Sequence, residues 1–287
     1  TSKLALAMIP ITDAHAHFWS PERFDYPWIA EDSPFARDFL LDAYCHTTVG
    51  IAIERMVFVE CDCHPRHSVA EAAWVLELAA SDRRIQGIVA HAELTEPASL
   101  DVVLDALAAN PLVRGIRHNI QGQPPGFCLQ ESFVTGVRKA GLRGFHFELC
   151  ITHEQLPDAL ALVRLCPDVS FMLDHCGKPG IRSGQMDPWT THLRLLAQMP
   201  QVSCKISGLL TEADWNSWIP AQILPYIEYA AEAFGPARII YGSDWPVNTV
   251  AGGYASWQQV VEEACSSWSH ADQLAFFHEN AGRFYRL

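Results

Sequence analysis

The chain has 287 residues, 49% of them hydrophobic and 18% charged, which fits a well-buried globular protein and excludes a disordered one. Its 33 acids outweigh 20 Lys and Arg, a formal net charge of −13, and no basic cluster breaks that balance. Nucleic acid and anionic membrane surfaces are therefore disfavoured as partners, because phosphate binding needs grouped cations.

In chain order, Ile11-Thr12-Asp13-Ala14-His15-Ala16-His17-Phe18 reads as a short strand. Side chains alternate faces along a strand, so His15 and His17 share one, and two imidazoles so placed can hold a single divalent cation. Residues 21–34 form a long loop rich in proline and aromatics, including Tyr26-Pro27-Trp28, as expected of a lid or a surface covering. A weakly helical stretch at 40–49 leads to a strand at 55–60 and a helix at 67–80. The alternation then repeats. Strands are expected at 85–92, 113–120, 143–151, 169–174, 202–207 and 238–242. Helices are expected at 100–109, 131–140, 156–166, 189–199, 223–234 and 257–265. Val, Ile and Phe fill the strands without strict polar alternation, as in parallel strands buried on both faces.

Eight strand–helix units without a composition break predict a single (β/α)8 barrel over 1–287. A doubly wound sheet would alternate too, but no Gly-rich phosphate-binding fingerprint follows the first strand. Closure of the barrel brings the last strand, ending Tyr241-Gly242-Ser243-Asp244, beside His15 and His17. The nine cysteines cannot all pair and sit mostly in apolar runs, which predicts buried thiols in the reducing cytoplasm. Cys61-Asp62-Cys63 has no matching second pair, which argues against a zinc knuckle. Residues 3–9 are apolar but too short for a secretory core, and no run approaches the ~18 residues of a membrane span.

Catalytic groups in such barrels come from the C-terminal ends of the strands. Read in order, those ends offer His15 and His17, Glu60, His91 and Glu93, Arg117 and His118, His146 and Glu148, Asp174 and His175, Lys205 and Ser207, and Asp244. Buried ionisable groups are costly unless paired or bound to something. His175 and Asp244 are the expected catalytic pair, while Asp13, Glu60, His91, His118 and His146 are read as groups satisfied inside the fold.

Asp13-Ala14-His15-Ala16-His17-Phe18, Leu173-Asp174-His175, Gly242-Ser243-Asp244-Trp245-Pro246 and the closing Glu279-Asn280-Ala281-Gly282-Arg283-Phe284-Tyr285 together resemble the amidohydrolase superfamily. Tyr26-Pro27-Trp28, Ala36-Arg37-Asp38-Phe39-Leu40, Gly115-Ile116-Arg117-His118, His175-Cys176-Gly177-Lys178-Pro179 and Cys204-Lys205-Ile206-Ser207-Gly208-Leu209 resemble its group of sugar lactonases and pyrone-dicarboxylate hydrolases. The likeness spans essentially the whole chain.

The resemblance implies a lactone hydrolase. Strand four carries Arg117-His118-Asn119 and no lysine to bridge two ions, so one divalent metal is expected, Zn2+ first and Mn2+ second. Its ligands would be His15, His17, His175 and Asp244. Asp244 would take a proton from water, and His175 would polarise the carbonyl with the other imidazoles or through the ion. Arg117, Lys205 and Glu148, with Lys178 in support, would bind substrate polar groups. Trp28 and Trp245, with Tyr26, would form an apolar wall for a sugar ring. Few cations stand against many acids at the strand ends, which favours a fucono-, rhamnono- or galactono-lactone over a pyrone dicarboxylate. A metal-dependent decarboxylase on the same residues is the rival enzyme, and a non-catalytic barrel the rival binder. The expected partner is a small molecule, and the expected state a monomer or homodimer.

Overall fold

A computed structural model describes residues 9–287; of the apolar opening at 3–9, only Ile9 falls within it. Eight parallel strands stand in sequence order around one barrel: β1 (Ile11–Ala16), β2 (Ile53–Val59), β3 (Ile85–His91), β4 (Val113–Arg117), β5 (His146–Leu149), β6 (Phe171–Leu173), β7 (Val202–Ile206) and β8 (Ile239–Tyr241). The seam closes where Ala16 bridges Trp245. There His17 N–H donates to the Trp245 carbonyl and Asp244 N–H to the His15 carbonyl, both at 2.8 Å.

Helices follow each strand: α1 (Leu41–Thr47), α2 (Ser68–Ser81), α3 (Pro97–Ala108), α4 (Glu131–Leu142), α5 (Leu156–Leu165), α6 (Trp189–Ala197), α7 (Pro220–Phe234) and α8 (Gly253–Cys265). Two short helices, α9 (His270–Leu274) and α10 (Asn280–Tyr285), complete the chain. Strand β5 is shorter than its apolar run at both ends, and β4, β6 and β7 stop just before the polar His118, Asp174 and Ser207. Helices α3 and α7 begin earlier than their apolar periodicity suggests, at prolines. Proline suits a first helical turn, where its missing N–H costs nothing.

The barrel interior is packed by Val57, Val59, Val89, Met172 and Ile240, against which α10 lays Ala281 and Tyr285. A larger apolar layer lies between strands and helices. All nine cysteines are unpaired thiols, and no described helix is long and apolar enough to cross a membrane.

Helix α2 carries a carboxyl at odds with its surroundings. Glu71 is 1% exposed, and burial followed by the neighbouring Glu60 carboxylate pushes it up to about 8. Below the unfolded value near 4.5 the group is protonated in both states and costs nothing. Between there and about 8 the folded state alone keeps its proton, so stability falls as pH rises, by about 1.4 kcal/mol per unit at most. Glu71→Gln, neutral at every pH, should therefore raise the melting temperature by several degrees above pH 8 and change it little below pH 5, as read by thermal unfolding across pH. An equal shift at both ends would contradict a proton held on Glu71.

Candidate active site

The segments after β6 and β8 aim the central groups by an uncommon backbone. His175 and Asp244 have φ of 51° and 61°, the left-handed region that non-glycine residues rarely enter. Asp13 holds the Asp244 turn from below. Its Oδ1 accepts the Ser243 N–H at 2.8 Å and its Oδ2 the Tyr44 hydroxyl at 2.8 Å. Gly208, at φ +62°, lets the chain pass the site: a Cβ there would lie 2.5 Å from His175 Nδ1 and 2.9 Å from Asp244 Oδ2.

Three donor atoms meet as a result, those of His15, His17 and Asp244, with His175 beside Asp244. His15 Nε2 and His17 Nε2 are 3.1 Å apart. Asp244 Oδ1 lies 3.4 Å from His17 Nε2, 3.7 Å from His15 Nε2 and 3.8 Å from His175 Nε2. Tetrahedral ligands with bonds of about 2.1 Å stand about 3.4 Å apart, so the spacing suits one small divalent ion. Two of the ring orientations agree. His17 Nδ1 lies 2.8 Å from the Val59 carbonyl, which can only accept, so the ring carries its proton on Nδ1 and leaves Nε2 a lone pair. His175 Nδ1 is fixed by Ser207 Oγ at 2.8 Å.

Charge is arranged the same way. Burial lowers His175 to about 4, and burial followed by the Lys205 ammonium lowers His15 well below the usual imidazole range. Burial alone would raise Asp244, but the imidazoles of His175, His17 and His15 outweigh it and hold the carboxyl below its usual range. Near neutral pH the centre therefore offers His15 and His175 as neutral imidazoles and Asp244 as a carboxylate, the states that ligate cations.

Beneath this centre runs a buried ion lattice. Lys205 Nζ lies 2.8 Å from Glu148 Oε2, 2.9 Å from Asp174 Oδ1 and 3.1 Å from His15 Nδ1. Glu148 Oε1 also accepts the Tyr285 hydroxyl at 2.6 Å. Arg117 spans Glu60 Oε1 at 2.5 Å and Asp174 Oδ2 at 3.2 Å. Glu60, Asp62 and His91 cluster nearby, but both Glu60 oxygens are engaged, one by Arg117 and one by the Asp62 N–H at 2.6 Å. That makes it a poorer cation site than His15, His17 and Asp244.

A cavity of about 270 Å³ opens over the centre, lined by His17, His175, Asp244, Arg117, Trp28 and Lys178 among the expected residues. Glu148 and Lys205, both fully buried, do not line it. Direct contact with substrate, expected from their place at strand ends, does not match these positions, because the lattice absorbs their polar atoms. Trp245 and Tyr26 are buried and do not line the cavity, so the apolar wall expected of them is built otherwise. Trp19 takes that place, 5.5 Å from Trp28 in an edge-to-face pair. Asp62, Asn119 and Gln121 also face the cavity. The signal for Asp62 was its place two residues beyond Glu60, masked by the cysteines on either side.

The family model described as amidohydrolase matches residues 12–287. An L-fucono-1,5-lactonase of Burkholderia multivorans is 34% identical, over 96% of this chain and 95% of its own length. An L-rhamnono-gamma-lactonase of Scheffersomyces stipitis is 25% identical over 61% of this chain and 60% of its own. Among solved structures, a Burkholderia multivorans amidohydrolase with bound zinc superposes with a TM-score of 0.84 at 33% identity, covering 97% of this chain and 99% of the other.

Proposed function

The chain belongs to the amidohydrolase family, and from that premise we propose that it is a hydrolase of lactone ester bonds whose substrate is an uncharged sugar-acid lactone. The observation that carries this reading is the convergence of the fully buried His15 with His17 and Asp244, His175 standing beside Asp244, under a cavity that His17, His175 and Asp244 line together with Trp28. Relatives named for L-fucono- and L-rhamnono-lactones support the sugar. The charge of the cavity supports it too: Arg117 is matched by Glu60 and Asp174, which leaves Lys178 at the rim as its one other cation. A dicarboxylate would find too few counter-charges there. All nine thiols being unpaired supports a reducing compartment, the cytoplasm.

His15, His17, His175 and Asp244 are the residues that would hold a single divalent ion, Zn2+ ahead of Mn2+. Bound there, the ion supplies a Lewis acid that polarises the lactone carbonyl. Asp244 takes a proton from water as the water oxygen bonds to the acyl carbon and the carbonyl electron pair moves onto oxygen. His175 would act on that oxygen through the ion it helps to hold, whose positive charge would offset the charge developing there. Collapse breaks the bond from acyl carbon to ring oxygen, the Asp244 proton passes to that oxygen, and an open hydroxy acid leaves. Product analysis tests the reading: the product should be the lactone plus one water, whereas release of CO2 would reassign the same four residues to a decarboxylase.

A further inference from the structure

The cavity wall formed after β2 and β4 differs in chemistry from the floor. Asp62 adopts φ 53°, a left-handed conformation that aspartate tolerates better than most residues. Its N–H is pinned to Glu60 Oε2 at 2.6 Å. The side chain of Asp62 faces the cavity, and Asn119 Nδ2, 3.3 Å from Oδ2, is the side-chain donor it receives among the described residues. Asn119 Oδ1 in turn accepts the Gln121 N–H at 3.0 Å, and Gln121 Oε1 accepts from Lys178 Nζ. No described Lys or Arg lies within ion-pair distance of Asp62, since Arg117 is held by Glu60 and Asp174 and Lys178 points towards Glu212 at 4.0 Å.

A carboxylate has about four acceptor sites and no donor, so Asp62 presents unused acceptor capacity to whatever fills the cavity. A hydroxyl meets that need with a short, charge-assisted hydrogen bond, whereas an anionic substituent meets like charge. Beside it, Trp28 is locked by donating Nε1–H to the Cys61 carbonyl at 2.7 Å, and, braced edge-to-face by the buried Trp19, it offers an apolar face to the C–H side of a ring.

We infer that Asp62, supported by Asn119 and Gln121, is a hydroxyl-recognition subsite that accepts O–H groups of a neutral polyhydroxy lactone and discriminates against lactones bearing anionic groups. This rests on the lactonase reading. Asp62 is a specificity residue here, separate from the groups that carry the reaction.

The test compares an aldono-1,5-lactone with δ-valerolactone, the same ring without hydroxyls, on the unsubstituted enzyme, Asp62→Asn and Asp62→Ala. Asn keeps the shape and tolerates the left-handed backbone, so it guards against loss of fold. The ratio of kcat/KM on the hydroxylated ring to that on the bare ring should fall about 10- to 100-fold in both variants, through KM more than kcat. Equal losses on the two rings, or none on the hydroxylated ring, would overturn the subsite while leaving the lactonase reading in place. Failure of the unsubstituted enzyme to open any lactone would overturn the reading and the subsite together.

Discussion

Asp244→Asn should lower kcat by about a thousandfold or more while the melting temperature stays within a few degrees. Its carboxylate is the one anion among the four proposed ligands, and both roles proposed for it, proton acceptor and ligand, need the negative oxygen. An amide keeps the size and accepts the φ of 61° that the turn imposes, so the fold should survive. The Asp244 N–H bond to the His15 carbonyl at 2.8 Å is unaffected by the change. Turnover should fall with little change in unfolding, measured on the same preparation. Retention of more than about a tenth of kcat would remove Asp244 from the proton-transfer role, since general bases are worth 10²–10⁴-fold.

Lys205→Met should act mainly through stability, costing about 3–5 kcal/mol, the range seen when one partner of a buried ion pair is removed. The ammonium is fully buried between Asp174 and Glu148, and methionine fills the stem volume while leaving both carboxylates without it. The pH dependence should also weaken. Burial would raise Asp174, but Lys205, then His15 and Arg117, more than offset it and hold the carboxyl well below its usual range. A depressed carboxyl adds stability that is present above its unfolded value and lost as pH falls through the folded one. Without Lys205 the folded value of Asp174 rises, with His15 and Arg117 still opposing its burial, so the variant should lose less stability than the unsubstituted protein as pH falls. Adding Asp174→Asn to Lys205→Met should recover part of the loss, which separates charge from packing. Melting curves for the three proteins at pH 5 and pH 8 decide it; an unchanged melting temperature in Lys205→Met would contradict a supporting lattice.

The barrel was legible because each strand is a run of Val, Ile and Phe bounded by polar residues, and each helix shows its own period. The meeting of His15 and His17 with Asp244 followed from closure alone, since strands one and eight are neighbours in any such barrel. Depth was what the pattern could not carry. A period of two says which face Glu148 and Lys205 share with the cavity, but whether a residue lies at the mouth or one layer below depends on strand stagger. Both fell below, into a lattice completed by Tyr285 from α10, whose docking no local pattern in β5 or β7 announces. Trp245 misled for a related reason: it adjoins Asp244, but its ring turns into the core against Tyr44 and Phe39. Asp62 was missed because a left-handed turn, not a strand, aims it.

The most direct test of the central claim is acid release from a panel of aldono-1,4- and 1,5-lactones and a pyrone dicarboxylate, followed with a pH indicator before and after chelation. The expected result is turnover of at least one neutral sugar lactone, none or far less of the dicarboxylate, and a rate that falls on chelation and returns with Zn2+. Silence across the sugar lactones with turnover of the dicarboxylate, or CO2 release from an acid substrate, would contradict it.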